Sequence, residues 1–411
     1  MKEGLHAIVG SEGVLLSEGA TYAVGGQIPE TVVAPQNEQE VVALVEYAVG
    51  YQLPFMVAGS GTHLTALQPP EPYRWALCTR RMNRIVDYAP ADLVITVGAG
   101  MCLSAVQRVL GQYGQYLPWN PPLPNEATVG GIVASARSGS WRFRYGTPRD
   151  WLLALRAVRG DGVPFKSGAK VVKSVAGYDL HRLLCGSWGT LAIITEITLK
   201  VAPSPAMRQA VRWRAPSWEA VEPILAQLMA SPLQPDSLDL LWWEQEATQP
   251  PVFLIEFSGS QAGIEWQLRW LRENYPEASL EPVPVEELGQ LRDWLAPRNH
   301  LLLVKLLMRS SEVADWMQQL TAIGGCMLYA HAGCGMLYVA CEAEPSAMQL
   351  LQSLRESPLK WQALCLPPEA KEMGVPSRTN AAAQAGVARL VARLKQAFDP
   401  HHLLPTLPFS E

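Results

Sequence analysis

The stretch LPFMVAGSGTHL, residues 53–64, decides how the first half of the chain folds. A short apolar run leads into Ala58-Gly59-Ser60-Gly61-Thr62-His63, a turn made of glycines and small hydroxyl residues. Glycines let a backbone turn sharply and bring its N–H groups close to an anion, and hydroxyls add donors. A P-loop needs a lysine after its last glycine, and a Rossmann turn needs a third glycine where Leu64 stands. The stretch alone is therefore either a phosphate-binding loop of another kind or a tight turn.

Residues 31–57 predict a strand, a helix and a second strand ahead of this turn. TVVAP is a short apolar run closed by Pro35, and PFMVA has the character of a buried strand. Between them, apolar residues recur at helical spacing, at positions 41, 44, 45, 48 and 49. Asn37 followed by Glu40 is typical of a capped helix N-terminus. The glycine-rich turn thus ends an α/β unit.

Two further glycine-rich segments follow, ATVGGIVASARSG at 127–139 and GAKVVKSVAGYDLHRLLCGSWGTLAIITEITLKV at 168–201. Each is flanked by strand or helix signals, so its glycines lie where a ligand can approach the backbone. Three such segments suit a long ligand in an extended pose, and a phosphate-bearing dinucleotide is a ligand of that kind. The alternative is a loop-rich sandwich whose glycines serve only the backbone conformation. The three segments together favour the ligand.

The rest of the chain indicates antiparallel strands and a second domain. Residues 85–99 predict two strands joined by a turn, and residues 151–168 predict a hairpin with Asp161-Gly162 at its turn. Pro203 and Pro205 mark a boundary. Beyond it lie nine of the 14 tryptophans, and helical patterns alternate with apolar runs such as VFLIEFSG and LLLVKLLM. This texture predicts an α+β domain with an antiparallel sheet.

Composition argues against several classes of protein. The 411-residue chain has a net charge of −5, so we expect no nucleic-acid partner. Apolar runs fall short of the roughly 18 residues of a membrane span, and the N-terminus lacks the apolar core of a signal peptide. We therefore expect a cytoplasmic protein without a membrane span of its own. The seven cysteines contain no C-x-x-C, which argues against an iron–sulfur cluster or a structural zinc in this chain.

Five stretches together resemble the flavoproteins of the vanillyl-alcohol oxidase and p-cresol methylhydroxylase (PCMH) type, and within them the FAD-binding subunits of glycolate oxidase. They are VVAPQNEQEVVALVEYA, VAGSGTHL, ATVGGIVASA, RYGTPRDWLL and GAKVVKSVAGYDLHRLLCGSWGTLAIITEITLK. The resemblance implies an α+β fold, with a PCMH-type FAD-binding domain of two α/β lobes and a C-terminal α+β cap domain with an antiparallel sheet. It predicts these domains at 25–203 and 204–379, with a C-terminal helix and tail, 380–411, returning to the FAD domain.

The resemblance also implies which residues hold the cofactor. The Gly-Ser-Gly turn becomes the loop that wraps the FAD pyrophosphate. The predicted cofactor-binding residues are Ala58, Gly59, Ser60, Gly61, Thr62, His63, Thr128, Gly130, Gly131, Ala134, Tyr145, Gly146, Ile193 and Ile194. Some relatives attach FAD covalently through a histidine of this loop. Thr62 occupies that position here and His63 follows one residue later, so we expect non-covalent FAD.

Oxidation of a 2-hydroxy acid needs a cation for the carboxylate, a base for the hydroxyl proton and a flavin for the hydride. Arginine suits the carboxylate because its planar fork matches two oxygens. Arg144 is therefore a candidate, with Arg142 and Arg149 beside it, although each of them is also suited to a structural ion pair. Lys305, within LLLVKLLM, is the second candidate cation, or else a lysine at a sheet edge.

His331, in YAHAGCGMLY, is the candidate base, or else a buried core histidine. Related flavin dehydrogenases carry H-A-G-D-G-N-L-H at this kind of place, with metal-binding histidines. This chain has Cys334, Met336 and Tyr338 at the Asp, Asn and second His positions. A metal needs a cluster of ligands, and a single histidine does not provide one, so we expect no metal.

The resemblance implies an FAD-binding subunit of a glycolate oxidase complex that oxidises glycolate, a small 2-hydroxy acid, to glyoxylate. It implies two partners, a larger FAD-binding glycolate oxidase subunit and an iron–sulfur subunit. One alternative is a self-sufficient FAD-dependent 2-hydroxy acid dehydrogenase of the D-lactate type. Another is a structural subunit whose flavin is inert or absent, an alternative that the altered HAGCGMLY motif leaves open.

Overall fold

The computed structural model describes residues 1–15, 17–24, 26–64, 67, 72–170, 178–243, 249–367 and 385–406. The chain divides into two compact units. Unit 1 combines Met1–Arg137, Thr147–Pro203 and Ala382–Glu411, and unit 2 combines Ser138–Gly146 with Ser204–Ala381. The predicted domain boundaries stay a prediction, and the units differ from them at two places. Residues 1–24 belong to unit 1, and the segment 138–146 belongs to unit 2.

Unit 1 contains two main sheets. Its strands are β1 (Thr31–Val33), β2 (Phe55–Ala58), β3 (Trp75–Cys78), β4 (Ile85–Ala89), β5 (Val94–Gly98), β6 (Gln115–Tyr116), β7 (Leu152–Arg159), β8 (Pro164–Gly168), β9 (Ala192–Lys200) and β10 (Ala202–Pro203). The first sheet is parallel, in the order β1-β3-β2, and the second is antiparallel, in the order β4-β5-β9-β7-β8. The helices are Lys2–Val9, Glu38–Tyr51, Leu103–Gly111, Val129–Ser135, Pro148–Trp151, Leu180–Leu184 and Ala385–Phe398.

The strand–helix–strand prediction for residues 31–57 agrees with the structure. The Asn37 side chain accepts a hydrogen bond from the Glu40 backbone N–H at 2.8 Å, and the Glu40 carboxylate accepts one from the Gln36 N–H at 2.9 Å. These bonds satisfy donors that a helix start leaves free. One face of the helix buries its apolar residues in a cluster that also holds Phe55 and Trp75, whose rings stack at 4.5 Å. The helix thereby fixes the strand that leads into the glycine-rich turn.

Both predicted hairpins are present in unit 1. β4 pairs antiparallel with β5, and β7 pairs antiparallel with β8. Gly162 sits at the second turn with φ +85°, a conformation that favours glycine. The Asp161 carboxylate accepts a hydrogen bond from the Arg159 guanidinium and another from the Val163 N–H, which closes the turn.

Unit 2 is built on one eight-stranded sheet. Its strands are β11 (Met207–Arg214), β12 (Ser237–Trp242), β13 (Val252–Gly259), β14 (Glu281–Val283), β15 (Leu302–Leu307), β16 (Cys326–His331), β17 (Met336–Cys341) and β18 (Lys360–Cys365). Their order is β14-β11-β13-β12-β16-β17-β15-β18, and each pairing is antiparallel. The α+β class with an antiparallel sheet, predicted from the sequence, is confirmed. The helices are Arg142–Tyr145, Val221–Ala230, Gln261–Asn274, Val285–Trp294, Val313–Leu320 and Glu344–Glu356.

The two faces of this sheet differ in character. One face packs against helices in a large apolar core, where the Trp213 ring stacks on Phe253 at 4.9 Å. The other face carries a smaller apolar cluster together with several buried polar side chains. Burying polar groups is unfavourable unless they are paired. The buried polar residues of this second face are therefore candidates for a functional site. Within the described residues, the structure contains no helix of the length and apolarity that a membrane crossing requires.

The C-terminal segment of unit 1 is held by a buried ion pair. Lys395 Nζ lies 2.7 Å from an Asp399 carboxylate oxygen and donates hydrogen bonds to the carbonyls of Thr190 and Leu404. The fully buried Asp399 carboxylate also accepts the N–H groups of Leu403 and Leu404, at 3.0 Å each. Burial lowers the pKa of Lys395, and the Asp399 charge acts in the opposite direction. His401 and His402 are exposed, as expected for tail residues.

Replacing Asp399 with Asn should destabilise unit 1 strongly, because it leaves the buried ammonium of Lys395 without its counter-charge. Breaking a buried pair in this way costs about 3 to 5 kcal/mol. The matched control is Asp87→Asn, which removes an exposed partner of Lys170 and should leave stability unchanged within error. Guanidinium unfolding of both variants measures the difference. Equal, small effects would show that the buried pair does not hold the C-terminal segment.

Candidate functional site

A cleft opens in unit 1 beside the glycine-rich turn. Eleven of the fourteen predicted cofactor-binding residues line it: Ala58, Gly59, Ser60, Gly61, Thr62, His63, Thr128, Gly130, Gly131, Ala134 and Ile194. Sequence reasoning missed several others, namely Val57, Leu64, Leu67, Thr79, Ala99, Ser135, Trp188, Gly189 and Ala192. The turn after β2, the helix 129–135 and the start of β9 therefore meet at one place, as the three glycine-rich segments indicated.

The remaining three predicted cofactor residues lie elsewhere. The Ile193 side chain is fully buried in the cluster that holds the helix 38–51, so only its backbone is available to a ligand at the cleft. Tyr145 and Gly146 belong to unit 2, where the Tyr145 hydroxyl lies 3.0 Å from an Asp236 carboxylate oxygen. Their assignment to the cofactor stays a prediction.

Close backbone contacts give the cleft its shape. A Cβ atom on Gly59 would lie 2.0 Å from the Thr128 hydroxyl, and one on Gly130 would lie 2.7 Å from the Ala99 carbonyl oxygen. Thr128 cannot move freely, because its hydroxyl accepts the Gly131 N–H at 3.1 Å and caps the helix. Only glycine fits at position 59 while this contact exists.

The lining has the chemistry that a dinucleotide requires. The described residues that line the cleft include no Asp or Glu, so no carboxylate repels a diphosphate. The His63 Nδ1 atom lies 2.9 Å from the Thr62 hydroxyl, while its buried Nε2 atom has no hydrogen-bond partner among the described residues. Burial, together with the charge of Arg137, lowers the pKa of His63 well below its usual range. A neutral imidazole with one unsatisfied nitrogen fits a cleft that a polar ligand completes.

Replacing Gly59 with Ala should abolish or strongly reduce flavin binding, because the added methyl group cannot coexist with the capped Thr128 side chain. The matched control is Gly50→Ala, in the helix 38–51, where an added Cβ meets no atom within 4 Å. Flavin released by acid precipitation gives the stoichiometry by absorbance. The control should retain about one flavin per chain, and a Gly59→Ala variant that does the same would contradict the assignment of this cleft.

Unit 2 carries a second group of candidate functional side chains, a row of polar residues across the less apolar face of its sheet. The row consists of Glu256, Asp239, His331, Tyr329, Tyr338, Lys305 and Gln362. Tyr329 pairs with Tyr338, Tyr338 with Lys305, and Lys305 with Gln362, so these side chains share one face. The structure thus brings together two of the three predicted catalytic residues, Lys305 and His331.

The third predicted catalytic residue, Arg144, lies in a different polar group. Its guanidinium donates to an Asp236 carboxylate oxygen at 3.2 Å and to the Gln234 carbonyl at 2.7 Å. Arg208 donates to the other Asp236 oxygen at 2.9 Å and lies over the Trp141 ring at 3.9 Å. These contacts attach the segment 138–146 to the sheet of unit 2. A role for Arg144 with a substrate carboxylate stays a prediction.

Glu256 is a buried carboxyl with a shifted proton affinity. Burial raises the pKa of Glu256 to about 7, and the carboxylates of Asp239 and Asp236 add to the rise. The Trp141 indole N–H at 2.9 Å and the Ser237 hydroxyl at 3.1 Å act in the opposite direction. The polar row therefore contains a carboxyl whose pKa lies near neutral pH.

Replacing Glu256 with Gln should remove part of the pH dependence of unit 2 stability. The folded state raises the pKa of Glu256 from an ordinary value near 4.5, so folding favours the protonated form. The wild type should lose stability as pH rises from about 4.5 to 7, by roughly 3 kcal/mol at most. Glutamine resembles the protonated carboxyl and lacks this loss, so it should be most favourable relative to wild type at pH 8. Tryptophan-monitored unfolding at pH 5 and pH 8 tests this, and parallel changes in both proteins would contradict it.

Comparisons with known proteins identify the class. A sequence family described as "FAD binding domain" matches residues 29–167. Glycolate oxidase subunit GlcE of Escherichia coli (strain K12) is 35% identical over 237 residues, which cover 56% of this chain and 67% of that protein. The chain belongs to the family of FAD-binding oxidoreductases that includes glycolate oxidase subunit GlcE, and it has the fold of PCMH-type flavoproteins. The cofactor predicted from the sequence, FAD, is confirmed by this membership.

Other relatives are more distant. Glycolate oxidase subunit GlcD of Bacillus subtilis (strain 168) is 29% identical over 56% of this chain, and the match spans 47% of that protein. The mitochondrial D-lactate dehydrogenase [cytochrome] of Arabidopsis thaliana is 27% identical over 78% of this chain and 61% of its own length. Substrate-bound p-cresol methylhydroxylase has the same fold, with a TM-score of 0.73 and 13% identity over 99% of this chain and 96% of that one. The matches thus span about half to two thirds of the curated relatives.

Whether the described residues form a metal site depends on how their ligating side chains are grouped. Within the part of the chain that the structure describes, no group of three or more His, Cys, Asp or Glu side chains is placed to hold a metal ion.

Two acidic residues of the polar row, Asp239 and Glu256, were not predicted from the sequence, although a signal was available. Both are acidic residues within apolar strands, SLDLLW and VFLIEFSG, at positions that alternation places on one face.

Proposed function

We propose that the chain is the FAD-binding subunit of a glycolate oxidase complex, which oxidises glycolate to glyoxylate. The observation that carries the proposal is the acid-free cleft lined by the glycine-rich segments, in a chain that is similar to subunit GlcE over two thirds of that protein. We propose that FAD is bound non-covalently, since Thr62 occupies the attachment position and its hydroxyl lies 2.9 Å from His63 Nδ1.

The polar row supplies groups suited to a 2-hydroxy acid. Lys305 lies between Tyr338 and Gln362 on adjacent strands, and its ammonium can hold a carboxylate beside hydroxyl and amide groups. His331 can take the hydroxyl proton through its buried Nε2 atom, which has no hydrogen-bond partner among the described residues. When bound, FAD supplies a two-electron acceptor for the hydride from C2 of the substrate.

A division of labour between subunits supports the proposed partners. They are a larger FAD-binding glycolate oxidase subunit and an iron–sulfur subunit. The sequence contains no C-x-x-C, which fits an arrangement in which a partner chain carries the iron–sulfur clusters. Both GlcD and GlcE are similar to this chain, which supports assembly of two related flavin subunits.

The second candidate is a self-sufficient FAD-dependent dehydrogenase for D-lactate or a related 2-hydroxy acid. The observation that favours it is the polar row itself, which holds a cation and a base on one sheet face within this single chain. The D-lactate dehydrogenase of Arabidopsis thaliana matches 78% of this chain. A structural subunit with an inert flavin would have no need of Lys305 and His331 on one face.

Purification of the chain alone and together with its two partners tests the proposal. We expect one FAD per chain in both preparations, and reduction of an artificial acceptor by glycolate only in the complex. Lys305→Met should raise KM for glycolate by about 10- to 100-fold, because a charge-assisted bond to the carboxylate is lost. Lys170→Met, at an exposed ion pair of unit 1, is the matched control and should leave KM unchanged.

Three outcomes would overturn the assignment. Glycolate-dependent turnover by the chain alone would favour the second candidate. A complex that turns over normally with Lys305→Met would remove the lysine from the substrate site. A colourless chain within an active complex would favour a structural subunit.

A further inference from the structure

His331 is held by a buried carboxylate that sequence reasoning did not identify. Its Nδ1 atom lies 3.1 Å from an Asp239 carboxylate oxygen, and the two side chains are 2% and 1% exposed. The second Asp239 oxygen accepts the Tyr329 hydroxyl at 3.2 Å. A carboxylate can only accept hydrogen bonds, so the proton of the neutral imidazole belongs on Nδ1 in this arrangement.

The opposite nitrogen of His331 is left without a partner. Its Nε2 atom is buried and has no hydrogen bond to any described residue. A buried, unsatisfied polar atom costs about 1 to 3 kcal/mol, and native proteins keep few of them. An Nε2 atom that carries a lone pair accepts a hydrogen bond, so the group that would satisfy it is a hydroxyl or another donor of a bound molecule.

The imidazole ring is fixed from two sides. The rings of Tyr329 and Tyr338 meet it edge to face, with centroids 5.1 and 5.2 Å away and interplanar angles of 72° in both cases. Burial raises the pKa of Tyr329 well above its usual range, and the Asp239 charge adds to the rise. The Tyr329 hydroxyl therefore stays protonated and donates a hydrogen bond to Asp239. The ring orientation is therefore set before any ligand arrives.

Lys305 shares the sheet face of His331. Lys305 is on β15 and His331 on β16, with β17 between them. Lys305 is level with Tyr338 and Tyr329, and His331 follows Tyr329 by two residues on the same face, so the two backbone positions are roughly 12 Å apart. A short 2-hydroxy acid carries a carboxylate and a hydroxyl on neighbouring carbons, the two groups that a lysine and a histidine can bind.

We propose that Asp239 is a positioning residue, which holds His331 with its proton on Nδ1 so that Nε2 receives the hydroxyl proton of a 2-hydroxy acid. The assignment of the proton to this substrate rests on the proposed function. The hydroxyl O–H bond breaks, an Nε2–H bond forms, and the Asp239 carboxylate stabilises the resulting imidazolium. The C2–H bond breaks in the same oxidation, and its hydrogen and electron pair leave as the hydride that FAD accepts.

The first test needs no activity. Two-bond ¹H–¹⁵N spectra of the ¹⁵N-histidine-labelled protein report the tautomer of each neutral imidazole, and loss of one set of signals in His331→Gln assigns His331. We expect the proton on Nδ1 in the wild type and a shift towards Nε2–H in Asp239→Asn. Asp315→Asn, an exposed residue of the helix 313–320, is the control and should leave the spectrum unchanged. A wild-type His331 with its proton on Nε2 overturns the inference, even if Asp239→Asn does not fold.

The second test uses the assembled complex and separates the inference from the proposed function. Asp239→Asn should lower kcat for glycolate by about 100-fold or more, with a change in KM of less than about threefold, as expected for a wrongly held base. Tyr329→Phe should lower kcat by less, because the hydrogen bond between the other Asp239 oxygen and the His331 imidazole remains. If Asp239→Asn shifts the tautomer and kcat is unchanged, His331 is not the base. If the tautomer is as expected and no 2-hydroxy acid is oxidised, the positioning role stands and the proposed function fails.

Discussion

The close contact between the backbone at Gly59 and the side chain of Thr128 is the constraint on which unit 1 depends. Thr128 caps the helix 129–135 through the Gly131 N–H, so its hydroxyl cannot give way. The turn after β2 can approach only because position 59 lacks a side chain. This approach lets the backbone of the turn, rather than a lysine, line the cleft.

One face of the unit 2 sheet carries buried polar side chains at positions where a packed sheet face is normally apolar. Asp239, His331 and Tyr329 satisfy one another through two hydrogen bonds of 3.1 and 3.2 Å. Glu256 lies in the same buried environment and is bonded to Trp141 and Ser237. Such groups reduce stability unless each is paired, so a row of them across several strands indicates a function rather than packing. In the proposed function, the unsatisfied Nε2 atom of His331 accepts a hydrogen bond from the bound ligand.

Local features of the fold could be predicted from the sequence, because their causes are close together in the chain. The Asn37–Glu40 cap, the turn at Gly162 and the apolar runs beyond residue 205 each depend on neighbouring residues. The glycine-rich cleft could also be predicted from the sequence, because residues with little side-chain bulk mark the positions where backbones come close together. Lys305 was noticeable as a charge within an apolar run.

Contacts between distant positions could not be predicted in the same way. Asp239 and His331 are 92 residues apart, and nothing local to either strand reveals the partner. The resemblance placed the segment 138–146 within the predicted FAD-binding domain, 25–203. Its side chains instead bind unit 2 through Asp236 and Glu256, roughly a hundred residues further along the chain. The resemblance assigned backbone contacts with the cofactor to both Ile193 and Ile194. Alternation along the strand turns their side chains to opposite faces, and only Ile194 lines the cleft among the described residues.

The most direct test of the account is a crystal structure of the protein with FAD. We expect continuous density for the diphosphate against the backbone of residues 59–63, with the His63 Nε2 atom hydrogen-bonded to the cofactor or to an ordered water beside it, and no bond between the protein and the isoalloxazine ring. Density that places the dinucleotide away from Gly59 and Thr128, or a covalent link from His63 to the flavin, would contradict it.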